Sequence, residues 1–121
     1  MKKILVVDDD ENIRELVSAT LENEHYKIYE AVNGEEAINL AKDKKPALIL
    51  LDVSMPLKDG FEVCKILKTH QETRSICVIM LTGKTNEDDK RKCGELGAND
   101  YITKPFSPLS LIKKVELVLE S

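Results

Sequence analysis

Three short apolar runs each end in a residue able to do chemistry. Ile4-Leu5-Val6-Val7 runs into Asp8-Asp9-Asp10, Ala47 to Leu51 into Asp52, and Cys77 to Leu81 into Thr82. A fourth run, Asp100 to Thr103, delivers Lys104-Pro105. If these runs are parallel strands of one open sheet, their carboxyl ends share the edge where such sheets bind ligands. Carboxylates crowded there repel unless a cation neutralises them. The donors are all hard oxygens, with no Cys or His among them, which points to Mg²⁺ (or Mn²⁺ in its place) with several waters retained. Lys104 adds a positive point charge and Thr82 a hydroxyl, the groups that hold phosphoryl oxygens. No Gly-rich loop follows the first run, and the turn Asp8-Asp9-Asp10-Glu11 would repel a pyrophosphate. The set handles a small phosphoryl group without a nucleotide, and a carboxylate that takes that group covalently is the economical reading.

Not every polar residue near these ends needs such a role. Asp10 is expected to cap the first helix, and Asp59-Gly60 is a turn signal. His25 and His70 fall on polar helix ends, where solvent surrounds them. Cys64, Cys77 and Cys93 are expected as small core residues.

The hydropathy pattern supplies the elements that must position the site. Wholly apolar, β-branched runs are strands buried on both faces, as in a parallel sheet covered by helices. Lys27 to Val32 is half polar and belongs at or near a sheet edge. Between the strands, apolar residues recur with helical spacing: Ile13, Leu16, Val17 and Leu21, then Ala37, Leu40 and Ala41. Val63, Ile66 and Leu67 continue the pattern, and Leu111, Ile112, Val115, Val118 and Leu119 close it. Each set is one apolar stripe on a charged helix. The segment from about Asn86 to Leu96 is the most polar, with few core anchors beyond Cys93 and Leu96. Strand and helix alternate five times, which predicts an α/β fold with a doubly wound five-stranded parallel sheet and helices on both faces.

The 121 residues suffice for one domain, 1–121. Lys and Arg number 18 against 22 Asp and Glu, a net charge of −4, which gives no broad attraction to nucleic acid or anionic membrane. Three cysteines with no close pair make a disulfide framework a poor fit and suit a reducing cytoplasm. The apolar opening stops at Asp8, too soon for a signal sequence, and no stretch approaches the roughly 20 apolar residues of a membrane span.

These residues, in this order, resemble the receiver domain of bacterial two-component response regulators, a flavodoxin-like (βα)5 fold. The resemblance runs from Lys3 to about Glu120. Its pieces are Ile4-Leu5-Val6-Val7-Asp8-Asp9-Asp10, Asn33-Gly34 with Glu36-Ala37, and Leu51-Asp52-Val53-Ser54-Met55-Pro56-Leu57-Lys58-Asp59-Gly60. Leu81-Thr82-Gly83 and Gly97-Ala98-Asn99-Asp100-Tyr101-Ile102-Thr103-Lys104-Pro105-Phe106 complete it.

The resemblance implies that Asp52 is phosphorylated by a sensor histidine kinase or a phosphotransfer protein. Asp8 and Asp9 then match the acidic pair that binds Mg²⁺, and the backbone carbonyl of Ser54 matches a further ligand beside Asp52. Thr82 and Lys104 match the groups that turn to the phosphoryl oxygens, Tyr101 matches an aromatic switch, and Lys104-Pro105 matches a cis peptide bond. Such a protein takes the phosphoryl group from phosphohistidine and later loses it to water, which is not conventional enzyme turnover. Phosphorylation adds roughly −1.5 to −2 charges and three acceptor oxygens. The expected response is a shape change on the face of the fourth helix, fifth strand and fifth helix.

Relatives that dimerise through that face to bind DNA carry charged pairs across it. Lys90 and Asp100 match them, but Ser110 stands where Glu is usual and Lys114 where Arg is usual. A monomer or weak dimer is therefore expected, without direct nucleic acid or membrane binding. The reader of its state would be a downstream protein or an output domain outside the chain. A Mg²⁺-dependent phosphohydrolase of small metabolites and an inactive interaction module are the alternative readings. Either a stand-alone protein or a piece of a longer regulator fits the sequence.

Overall fold

Strand and helix alternate throughout residues 1–55, 58–83 and 87–120, which a computed structural model describes. The order is β1 (Lys3–Val7), α1 (Glu11–Glu22), β2 (Lys27–Ala31), α2 (Gly34–Lys44), β3 (Leu48–Asp52), α3 (Gly60–Thr69), β4 (Cys77–Thr82), α4 (Glu87–Glu95), β5 (Asp100–Thr103) and α5 (Pro108–Glu120). Pro56 and Leu57 of the motif around Asp52, the expected Asn86 start of the fourth helix, and Ser121 lie outside the described residues. All strand pairs are parallel and the order across the sheet is β2-β1-β3-β4-β5. The half-polar β2 stands at an edge, as its composition requires. Among the described residues, no helix is long and apolar enough to cross a membrane.

Period-two alternation divides the apolar runs between two cores. Leu5, Val7, Ile49, Leu51, Val78 and Met80 point to one face, where Ala37 and Ala41 of α2, Val63, Cys64 and Leu67 of α3, and Cys93 of α4 cover them. Ile4, Val6, Leu48, Leu50, Ile79 and Leu81 point to the other, against Val17 and Leu21 of α1 and Leu111 and Val115 of α5. The central strands are therefore apolar at nearly every position, and their polar residues collect at the ends.

The first three helices start on side-chain caps. Asp10 Oδ1 accepts from Asn12 N–H at 2.9 Å, Asn33 Oδ1 from Glu36 N–H at 2.9 Å, and Asp59 Oδ1 from Glu62 N–H at 2.9 Å. Glu36 reaches back past the cap to accept from Val32 N–H at 3.1 Å, which ties the start of α2 to the end of β2. Among the described residues, α4 buries Cys93 alone, in keeping with its polar sequence.

Two expectations need correction. Leu16 was expected on the stripe of α1 but is 43% exposed. The buried face runs through Val17, Ser18 and Leu21, and a residue one step before Val17 is turned about 100° away from that face, on the side opposite Ser18. Val32, expected to end β2, is exposed beyond the last ladder residue, Ala31, where the chain turns into the Asn33 cap.

Asp59-Gly60 does more than turn the chain. Gly60 N–H donates to Val53 O at 2.8 Å, and a Cβ at Gly60 would collide with the backbone carbonyl of Asp52. The first turn of α3 thus rests directly on the backbone of Asp52. We expect Gly60→Ala to destabilise the protein by about 2–3 kcal/mol, because backbone gives way less readily than a side chain. Gly94 on α4 has open space around its Cβ position. Gly94→Ala should raise stability by about 0.5–1 kcal/mol, since a helical glycine carries excess unfolded-state entropy. Urea unfolding of both variants measures the contrast.

Candidate metal and phosphoryl site

The sheet order brings β1 and β3 side by side, with the connections leaving in opposite directions, and a crevice opens at their carboxyl ends. Asp8, Asp9 and Asp52 meet there. One carboxylate oxygen from each lies within 4.8 Å of the others. Asp8 is fully buried, Asp52 is 4% exposed, and Asp9 faces solvent. Lys104, just beyond β5, reaches across β4 into this cluster. Its Nζ donates to Asp8 Oδ2 at 2.8 Å and to Asp52 Oδ1 at 3.0 Å. Lys104-Pro105 is a cis peptide bond.

Backbone groups hold three members of this cluster. Asp10 N–H donates to Asp8 Oδ1 at 3.0 Å, and Ser54 N–H to Asp52 Oδ1 at 3.4 Å. Lys104 N–H donates to Thr82 O at 2.6 Å, which ties the lysine to the end of β4. Thr82 itself is buried at that end. Beside it, Ser54, Phe61, Thr82 and Gly83 border a hollow of about 410 Å³, enough for a small group and its waters.

Tyr101 is not part of the cluster. It sits on β5, half-buried against the core, with Lys90 Nζ 5.3 Å and Lys114 Nζ 5.8 Å from the ring centroid. Lys114 also pairs with Asp100 at 3.3 Å. The charges at Lys114 and Asp100 are therefore matched within the chain. Both ammonium groups lie within cation–π reach of the ring.

One residue of the site's surroundings escaped sequence reasoning. Arg14 Nη1 donates to the carbonyl of Asp8 at 2.8 Å, and Arg14 Nε to Glu30 Oε1 on β2 at 3.2 Å. The only hint was Glu30 itself, a carboxylate within a strand, opposite Val6 in the register.

Three carboxylates face one ammonium, and the surplus negative charge matches a divalent cation. The oxygens lie close to the span across an ion ligated at about 2.1 Å, and a cation that keeps several waters tolerates the remainder. The residues present therefore fit a divalent metal. Burial pushes the Asp52 carboxyl up from 3.8 to about 6. The Lys104 hydrogen bond opposes that shift, and the Asp8 charge reinforces it. Burial also disfavours the Lys104 ammonium, but its bonds to Asp8 and Asp52 outweigh this and hold its pKa above the usual value.

The sign of the linkage follows from the raised acid. The folded state holds the Asp52 proton more tightly than the unfolded state, so this group's contribution falls as pH rises from 3.8 to about 6. Without divalent metal, Asp52→Asn should stabilise the protein by about 1–3 kcal/mol near pH 7.5 and by close to nothing at about pH 4. Urea unfolding in a chelator at the two pH values checks it.

The response regulator receiver domain family matches residues 4–116. The alkaline phosphatase synthesis transcriptional regulatory protein PhoP of Bacillus subtilis is 48% identical over 118 residues, which cover 98% of this chain and 48% of that protein. Among solved structures, the chemotaxis protein CheY4 of Vibrio cholerae superposes with a TM-score of 0.93 at 35% identity, over 98% of both chains. The receiver domain of the sensor histidine kinase PA1611 of Pseudomonas aeruginosa has a magnesium ion coordinated in its active site cleft. It superposes with a TM-score of 0.91 at 26% identity, over 99% of this chain and 98% of that one. The chain spans about half the length of the curated relatives it matches. By its parallel (βα)5 sheet, its acidic crevice and this match over nearly all its residues, the chain belongs to the response regulator receiver domain family.

Proposed function

We propose that this chain is a phosphorylation-controlled switch in which Asp52 accepts a phosphoryl group from phosphohistidine of a sensor histidine kinase or phosphotransfer protein. The observation that carries the reading is the placement of Asp52 beside Asp8, Asp9 and Lys104, buried yet at the open edge of the sheet. In the transfer, a carboxylate oxygen of Asp52 forms a bond to phosphorus as the phosphorus–nitrogen bond of the donor breaks. The imidazole leaves with the electron pair. Water later attacks phosphorus, the bond from phosphorus to the Asp52 oxygen breaks, and inorganic phosphate leaves the free carboxylate.

Asp8, Asp9, Asp52 and the backbone carbonyl of Ser54 would hold Mg²⁺, with Mn²⁺ able to replace it. When bound, the cation supplies charge neutralisation for the incoming phosphoryl oxygens. The chain's own groups do the rest. A pKa of about 6 leaves Asp52 largely ionised at neutral pH and therefore able to attack. Lys104 exchanges its bond to Asp52 for one to a phosphoryl oxygen, and Thr82 donates its hydroxyl to another. The move of Thr82 pulls on the connection to α4, and Tyr101 turns inward from between Lys90 and Lys114. The face formed by α4, β5 and α5 then reads differently to a downstream protein or to an output domain. This chain does not itself bind nucleic acid, and it stays monomeric or dimerises weakly.

Three variants divide the site. Asp52→Asn should gain no phosphoryl group from acetyl phosphate with Mg²⁺, as read by intact mass, while the wild type gains one. An unchanged yield would reassign the acceptor. Asp9→Ala should lose most of the Mg²⁺ affinity in a calorimetric titration, by about tenfold or more. Lys104→Ala should keep or tighten it, because removing the ammonium leaves Asp8 and Asp52 to the cation. Equal loss in both would show that the roles are divided wrongly. Beryllofluoride should shift the amide resonances of Tyr101 and α4, and shifts confined to the neighbours of Asp52 would remove the switch.

A further inference from the structure

Every polar group of Asp8 is engaged. Its N–H donates to Ala31 O at 3.2 Å, its two carboxylate oxygens accept from Asp10 N–H and Lys104 Nζ, and its carbonyl accepts from Arg14. Asp9 is different. Its side chain is exposed, and what orients it is the backbone from which it projects. The Asp8 carbonyl belongs to the peptide plane that links Asp8 to Asp9, so a bond to that oxygen fixes the plane.

Arg14 makes that bond from one turn inside α1, with a side chain only 14% exposed. Its guanidinium is planar and offers several N–H donors in a fixed fork. One arm holds the Asp8 carbonyl at 2.8 Å and Nε holds Glu30 on β2 at 3.2 Å. Three elements therefore meet on one side chain: the turn after β1, helix α1 and the edge strand. As a partly exposed ion pair, Arg14–Glu30 adds little stability. Its geometry matters more than its charge.

We propose that Arg14 is a positioning residue of the metal site: by bracing the Asp8–Asp9 peptide against Glu30 of β2, it holds Asp9 where a divalent cation binds. The proposal rests on the receiver reading given above. Charge and geometry make opposite claims here. A guanidinium beside an acidic crevice weakens cation binding by repulsion, so on charge alone its removal tightens Mg²⁺. On geometry, its removal loosens the turn and weakens Mg²⁺.

The test is a calorimetric Mg²⁺ titration of the wild type, Arg14→Met and Arg14→Lys, with urea midpoints in a chelator and phosphoryl acceptance from acetyl phosphate over a range of Mg²⁺. Arg14→Met should bind Mg²⁺ about three- to tenfold more weakly, the size expected when a partner that orients a ligand is lost. The Mg²⁺ needed for half-maximal acceptance should rise by a similar factor, and the maximal rate should fall less. Arg14→Lys keeps the charge but cannot span both acceptors, so it should give a smaller loss in the same direction. If Arg14→Met does not fold, Arg14→Lys alone decides. Unchanged or tighter binding in whichever variant folds overturns the proposal. So does an affinity loss that merely tracks the urea midpoint. A wild type that neither binds Mg²⁺ nor accepts a phosphoryl group defeats the receiver reading instead, before Arg14 comes into question.

Discussion

Like charges crowded at the end of a parallel sheet need a cation, and here a single ammonium supplies the first one. Lys104 bridges Asp8 and Asp52, two carboxylates delivered by different strands and almost wholly removed from water. The bridge spans β1, β3 and β5 and pins the open edge of the sheet. It is also incomplete, because Asp9 adds a further negative charge that the lysine does not reach. The arrangement is thus stable enough to fold and charged enough to want a divalent ion. That shortage of positive charge at the crevice fits a divalent cation, and the Asp8 charge adds to the burial that raises the Asp52 pKa.

The rest of the fold serves to hold that imbalance in place. Two apolar cores, one on each face, bury nearly all of the central strands, so strand ends cannot slide to relieve repulsion. A register slip by one residue would exchange the faces of every side chain. The cost of such a slip fixes Asp8 and Asp52 far more firmly than their own hydrogen bonds do. Helix caps at Asp10, Asn33 and Asp59 then set where each helix leaves the edge.

Much of this was legible in the residues, because abrupt change is easy to read. Ile4 to Val7 ends at Asp8 without a transition, and Leu51 gives way to Asp52 in the same manner. Such breaks placed Asp8, Asp9, Asp52, Thr82 and Lys104 on one edge, and the structure brings the three carboxylates and the lysine together. Less visible was anything that depends on which neighbour a side chain meets. Leu16 fits a helical stripe by count, yet the stripe is rotated toward Ser18. Arg14 looks like any charged residue on an amphipathic helix until Glu30 and the Asp8 carbonyl are seen beside it. Lys90 and Lys114 lie far apart in sequence, and only the packing of α4 and α5 beside β5 brings both to Tyr101. The role of Gly60 was hidden because a turn glycine and a packing glycine read alike.

That glycine gives the domain an uneven mechanical compliance. Behind Asp52, backbone meets backbone with no side chain between to deform, so α3 is a hard stop. On the same face of the sheet, α4 buries one cysteine among its described residues. A load applied at Asp52 meets high stiffness in one direction and low stiffness in the other. Along this face, the path from Asp52 toward α4 is therefore the softer one.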